Sequence, residues 1–204
     1  MTGERTAARP RTALVVTASD RSAAGTRDDT SGAILADRLT ALGFVVDRET
    51  VADEQALIEQ VLIDAAEVHP LIVTTGGTGL TPRDVTPQAT LAVIDYEVPG
   101  LAEAIRAVGR VSTPFADLSR AVVGVRGRTL IVNTPGSPTG AAESLEAIIP
   151  VLEHALETLA GPHDHGADGA TGDADEGDAP GDSTEDQHAF GRPDAWDGEP
   201  EDAD

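Results

Sequence analysis

The chain has 204 residues and a formal charge of -22, from 36 acidic and 14 basic residues. It contains no cysteine and no lysine, which excludes disulfides, cysteine-ligated zinc, iron–sulfur clusters, thiol nucleophiles, Schiff-base chemistry and a lysine-dependent phosphate loop. Beyond Gly161 there are 15 acids against Arg192 alone, a balance of -14 that leaves -8 on the preceding residues and no basic stripe of the kind a nucleic-acid binder displays.

Residues 1–11 are polar, lack a signal-peptide apolar segment and are expected to form a flexible N-terminus. Thr12 to Thr17 is a β-branched run that predicts a buried strand. Ile34, Leu35, Leu39 and Leu42 recur at helical spacing, and Gly43 is placed to end that helix. Phe44 to Val46 predicts the next strand. Leu57, Ile58, Val61, Leu62 and Ala65 mark a second helix, with Asp53 as its expected N-cap. Leu71 to Thr75 reads as a strand. Pro87 and Pro99 read as first-turn prolines of two short helices over 87–95 and 99–109, the first capped by Thr86. Ala121–Val125 and Thr129–Asn133 are candidate strands, and the turn-like Arg126-Gly127-Arg128 between them allows a hairpin. Leu145, Ile148, Ile149, Leu152, Leu156 and Leu159 share one stripe of a last helix, in which Pro150 is expected to make a kink.

This alternation predicts an α/β fold over residues 12–160, a three-layer sandwich of a mostly parallel sheet with helices on both faces. From Gly161 the periodicity vanishes, and residues 161–204 are expected to be a disordered acidic tail. Phe190 and Trp196 read as incidental there rather than as a docking motif, and His163-Asp164-His165 is too small a set for a metal site. No apolar run approaches the ~20 residues of a membrane span, so a cytoplasmic protein is expected.

The most informative stretch is Thr74-Thr75-Gly76-Gly77-Thr78-Gly79-Leu80-Thr81-Pro82-Arg83-Asp84-Val85-Thr86-Pro87. A buried strand empties into a loop stripped of side chains, and a helix starts just beyond. Such loops bring ligand phosphates close to backbone N–H groups at the C-terminal end of a strand. Asp84 in this loop is a candidate Mg²⁺ ligand, because Mg²⁺ bridges one or two carboxylates to substrate phosphates. An Arg83–Asp84 pair exposed to water is the plainer alternative. Ser19-Asp20-Arg21 lies at the same sheet edge, where spacing alone favours an ordinary strand-to-helix loop with Asp29 or Thr30 as cap. Asn133-Thr134-Pro135-Gly136-Ser137-Pro138 repeats the strand–turn–helix order and suggests one pocket lined from several strand ends.

With these motifs the chain resembles the MoaB/Mog family of molybdenum cofactor biosynthesis proteins through about residues 12–160. The long glycine-loop motif at 74–87 carries the resemblance, supported in order by Ser19-Asp20-Arg21, Asp53-Glu54, Pro99-Gly100, Leu118-Ser119-Arg120 and Pro135-Gly136-Ser137. The resemblance implies molybdopterin adenylyltransferase activity, in which AMP moves from MgATP to the molybdopterin phosphate and pyrophosphate leaves. It implies catalytic and metal-holding roles for Asp53 and Asp84. It implies substrate contacts from Ser19, Asp20, Thr75, Gly76, Gly77, Thr78, Gly79, Arg83, Ser119, Pro135, Gly136 and Ser137. It also implies a homotrimer and a separate molybdate-insertion enzyme as partner, with no nucleic acid or membrane involved.

The family pattern is not followed everywhere: His69-Pro70 starts the glycine-loop strand, Ala52 stands where proline is frequent, and Thr134 stands where leucine is common. A molybdopterin-binding paralogue or scaffold without adenylyl transfer is the alternative function. A competence-damage or molybdate-insertion relative is disfavoured by the Arg83-to-Pro87 run. A dinucleotide-binding oxidoreductase is disfavoured because no Gly-x-Gly-x-x-Gly follows the first strand.

Overall fold

The structure, a computed structural model, describes residues 11–161. The expectations for residues 1–10, for the acidic segment from residue 162 onward, for Phe190 and Trp196, and for His163-Asp164-His165 fall outside it.

Six strands form one sheet: β1 (Thr12–Ala18), β2 (Val45–Val51), β3 (Leu71–Thr75), β4 (Tyr96–Glu97), β5 (Val123–Arg126) and β6 (Thr129–Thr134). Their spatial order is β2-β1-β3-β6-β5-β4, with β2, β1, β3 and β6 parallel and β5 and β4 added antiparallel. The hairpin allowed by Arg126-Gly127-Arg128 is the β5–β6 turn, where Gly127 takes a φ of 56°. The helices are α1 (Asp20–Ala23), α2 (Thr30–Ala41), α3 (Gln55–Ala66), α4 (Thr86–Val93), α5 (Pro99–Ser112) and α6 (Pro138–Ala160), with a 3₁₀ turn over Pro114–Leu118.

Alternation along the central strands builds two cores. Ala13, Val15, Leu71, Val73, Leu130 and Val132 pack with Leu35, Leu39, Ile105, Leu145 and Ile148 of α2, α5 and α6. Leu14, Val16, Ile72 and Ile131 pack on the other face with Ile58, Leu62, Ala89 and Val93 of α3 and α4. The sheet is therefore covered on both faces, as the near-continuous apolar runs of β1 and β3 require.

Several local expectations are corrected. β2 runs to Val51, well past Val46, because it is an edge strand whose Asp47, Arg48, Glu49 and Thr50 pair through the backbone while their side chains meet solvent. The two-residue edge strand β4 has no periodicity to reveal it. Helix α3 starts at Gln55 with Glu54 at the cap and no side-chain cap bond, so Asp53 does not cap it. Helix α4 is capped by Val85, and Thr86 lies inside its first turn. As expected, Pro150 lies inside the last helix, α6, which runs to Ala160.

The register positions the site. Thr17 pairs with Thr75 and Thr75 with Thr134, so β1, β3 and β6 end flush at one edge. Residues 19–29, 76–85 and 135–137 all leave the sheet there.

Candidate active site

Buried polar bonds hold the strand ends together. Asn133 donates from Nδ2 to the hydroxyls of Thr74 and Thr90, at 3.0 and 2.8 Å, and accepts from the Val122 amide at 3.2 Å. Thr134 Oγ1 donates to the Thr74 carbonyl at 2.9 Å and Thr75 Oγ1 to the Pro135 carbonyl at 2.8 Å. These side chains are buried, so each bond also spares a desolvated polar group.

The glycine loop then folds back tightly. Gly76 has a φ of 96°, and a Cβ there would stand 2.3 Å from the Ala18 carbonyl oxygen. Gly77 has a φ of 62°, and a Cβ would stand 2.4 Å from Thr86 Oγ1, a buried hydroxyl without an internal partner. Both positions require glycine. The Gly76 amide is used within the protein, donating to the Thr134 carbonyl at 3.2 Å. The amides of Gly77 and Thr78 donate to nothing among the described residues. Arg120 clamps the far side of the loop: its Nε donates to the Gly79 carbonyl at 2.7 Å and its Nη2 to the Asp84 carbonyl at 2.5 Å.

The loops enclose two cavities rather than the single pocket the strand ends suggest. A polar cleft of about 470 Å³ is lined by Ser19, Asp53, Thr75, Gly76, Gly77, Arg83, Asp84, Gly136 and Ser137 among others. An apolar cavity of about 450 Å³ lies across the glycine loop, lined by Thr78, Gly79, Leu80, Phe115, Leu118, Ser119 and Pro135 among others. Ser137 borders both. The N-terminal residues of two helices, Thr30 of α2 and Pro138 of the 23-residue α6, border the polar cleft and favour an anion there.

Asp20 is set behind the cleft and ties three loops together. Its amide donates to Asp53 Oδ2 at 2.9 Å, and the Asp53 amide donates back to Asp20 Oδ1 at 3.0 Å. Arg83 grips the same Asp20 carboxylate, with Nε at 3.1 Å and Nη2 at 2.5 and 2.6 Å from its oxygens. The alternative Arg83–Asp84 pair does not form. Asp84 instead accepts from the amide and the hydroxyl of Thr81, at 2.8 and 2.6 Å.

These contacts set the charges. The hydrogen bonds from Arg83 and the Asp53 amide hold the Asp20 carboxyl below its ordinary range. Burial pushes the Asp53 carboxyl up, and the neighbouring charges of Asp20 and Asp84 push the same way. Burial also raises the Asp84 carboxyl, but the Thr81 hydrogen bonds, the Gly79 amide and the charge of Arg120 together outweigh it and leave the group below the usual carboxylate range.

Four carboxylates, Asp28, Asp29, Asp53 and Asp84, and two guanidiniums, Arg27 and Arg83, line the polar cleft. No cluster of three or more His, Cys, Asp or Glu side chains of metal-holding geometry occurs among the described residues. The cleft instead offers a carboxylate pair, the arrangement that suits a cation whose other ligands are substrate phosphates and water. Among the described residues Asp53 Oδ1 accepts no hydrogen bond. Arg27, Thr81, Thr86 and the clamp of Arg120 were not marked as site residues by sequence reasoning. For Arg120 spacing carries no signal, since its bonds to Gly79 and Asp84 span 41 and 36 residues; Thr81 lies only three residues before Asp84, within the loop motif itself.

The family of probable molybdopterin-binding domains matches residues 14–154. The molybdopterin adenylyltransferase of Escherichia coli K12 is 42% identical over 140 residues, covering 66% of this chain and 71% of that protein. The molybdopterin adenylyltransferase of Helicobacter pylori J99 is 38% identical over 152 residues, covering 72% and 86%. Among solved structures, the molybdopterin biosynthesis enzyme MoaB of Thermus thermophilus is 51% identical with a TM-score of 0.69, covering 72% of this chain and 95% of its own. The molybdopterin biosynthesis Mog protein of Mycobacterium ulcerans is 44% identical with a TM-score of 0.70, covering 73% and 99%.

Proposed function

The chain belongs to the family of probable molybdopterin-binding domains, and on that premise we propose that it is a molybdopterin adenylyltransferase of molybdenum cofactor biosynthesis. The observation that supports a transfer mechanism best is the shared placement of Asp53 and Asp84 in one polar cleft, beside an apolar cavity across the glycine loop.

In the reaction an oxygen of the molybdopterin phosphate attacks the α-phosphorus of ATP. The bond from that phosphorus to the β-phosphate oxygen breaks, and pyrophosphate departs with its electron pair. The attacking phosphate is already anionic at pH 7, so no lysine, cysteine or serine nucleophile is needed. The protein must align two anions and neutralise their charge. The polar cleft takes the phosphates, with the Gly77 amide and the ends of α2 and α6 as donors. The apolar cavity takes a flat heteroaromatic ring. Asp53 and Asp84 would hold Mg²⁺, since that ion favours carboxylate oxygens and both line the same acidic cleft. When bound, that ion supplies charge neutralisation at the phosphates. Asp20, gripped by Arg83, fixes the Asp53 backbone.

The reading extends to a cytoplasmic homotrimer that hands its adenylylated product to a separate molybdate-insertion enzyme; among the described residues no helix is long and apolar enough to cross a membrane. The deciding experiment incubates the purified chain with molybdopterin, ATP and Mg²⁺ and measures adenylylated molybdopterin and pyrophosphate. Both are expected in equal amounts, and Asp84→Asn is expected to lower their rate by about 100-fold or more. Unchanged transfer by that variant sinks the role of Asp84. Molybdopterin binding without any transfer by the unaltered chain replaces the enzyme with a binding paralogue.

A further inference from the structure

We propose that Arg27 is the side chain that receives the polyphosphate of ATP, the portion that leaves as pyrophosphate; the assignment rests on the adenylyltransferase reading. Two arginines line the polar cleft, and one of them is already paired. Arg83 is bidentate on Asp20 through Nε and Nη2, with its closest contact at 2.5 Å, which leaves only its Nη1 edge for a ligand. Arg27 makes no hydrogen bond or ion pair among the described residues, although it borders the same cleft.

Its acidic neighbour Asp29 does not compete for it. Asp29 Oδ2 is paired with Arg48 Nη2 at 2.6 Å, and Asp29 Oδ1 accepts from the Gly32 amide at 2.9 Å as the cap of α2. Nor does Arg27 sit on a free arm. Gly25, with a φ of 68°, turns the chain, and both the amide and the hydroxyl of Thr26 donate to the Arg21 carbonyl at 2.9 Å. The guanidinium is thus presented from a tied loop, open toward a ligand.

Charge and position select the polyphosphate. The cleft holds four carboxylates, so the most highly charged part of its substrates has most need of a fixed cation. Arg27 is exposed, at the outer rim, whereas Thr75 and Gly76 lie at the inner wall. The leaving group must exit to solvent, so its β- and γ-phosphates belong at the rim and the α-phosphorus further in, near Asp53 and Asp84. Arginine suits this task because its planar fork pairs with phosphate oxygens and stays charged.

The test titrates the full chain and its Arg27→Ala and Arg27→Lys variants calorimetrically with MgATP and with AMP, and measures AMP transfer to molybdopterin in parallel. Arg27→Ala is expected to weaken MgATP about tenfold or more and leave AMP binding unchanged, with Arg27→Lys between the two. The melting temperature is expected to stay within about 1 °C, because Arg27 makes no internal bond. Unchanged MgATP affinity in Arg27→Ala overturns the assignment, as does an equal loss for MgATP and AMP. A selective loss of MgATP affinity in a chain that transfers no AMP keeps Arg27 as the polyphosphate contact and removes the transferase reading instead.

Discussion

Asp53 and Asp84 share one cleft, which moves their carboxyls in opposite directions. The folded value of Asp53 is raised, so its contribution to stability diminishes as pH rises from the ordinary carboxylate value through the folded one. The folded value of Asp84 is lowered, so its contribution is full above the unfolded value and is lost as pH falls through the folded one. At neutral pH the buried negative charge of Asp53 is a burden on the fold that the site retains. Asp53→Asn keeps an oxygen for the Asp20 amide and removes that charge, so its melting temperature is expected to equal or exceed that of the unaltered chain. AMP transfer by the same variant is expected to fall about 100-fold or more. A fall in both would recast Asp53 as structural. Asp53 is expected to add an acid limb to the pH profile above the ordinary carboxylate range, because Asp84 is already ionised there; comparison of the profiles of the unaltered chain and Asp53→Asn checks this, since the ionisations of the substrate phosphates are common to both. Arg83 stands one step back from the chemistry. Arg83→Ala is expected to lower kcat with little change in KM for MgATP, and the double variant with Asp20→Asn to be no worse than the poorer single, since both act through one contact. That Arg83 pairs with Asp20 was not legible in the sequence, where Asp84 is its nearest opposite charge and Asp20 lies 63 residues away.

At the scale of elements, what the sequence revealed and what it hid separate along physical lines. The central strands and long helices were legible because burial on both faces leaves continuous apolar runs or stripes. The edge strands were not: β2 carries Asp47, Arg48 and Glu49 outward, and β4 has two residues. Caps were misplaced at α3 and α4: Asp53 turns its carboxylate to the Asp20 amide instead, and Thr86 lies within the first turn of α4. Ser137 and Asp29, which do cap, face helices of 23 and 12 residues. The joining of elements yields two stability expectations. Gly76→Ala must place a methyl 2.3 Å from the Ala18 carbonyl oxygen, in backbone that cannot rotate away, at a φ that alanine rarely adopts. A cost of about 1–3 kcal/mol is expected, read as a lower denaturation midpoint. Asn133→Leu strands the Val122 amide and two threonine hydroxyls in the core, and a loss of about 2–4 kcal/mol is expected in the same measurement. A loss under about 0.5 kcal/mol would show that water or neighbouring groups take over those bonds.

For the molecule as a whole, the flush ends of β1, β3 and β6 make the site a property of sheet register, because a one-residue slip in any of them would carry its loop away from the others. The sheet positions, while the two antiparallel strands and α5 bring the 3₁₀ turn and Ser119 against the far side of the glycine loop. The thin wall between the two cavities, built by that loop and met on both sides by Ser137, has a pharmacological consequence. Each compartment holds only half of the reacting assembly, so a compound confined to one gains a fraction of the available affinity. A flat heteroaromatic group joined to a polyphosphate by a linker that crosses at Ser137 makes its second attachment intramolecular, at an effective concentration in the millimolar range. Such a bridged inhibitor is expected to bind about 100-fold tighter than either fragment, a gain that a mismatched linker length would abolish.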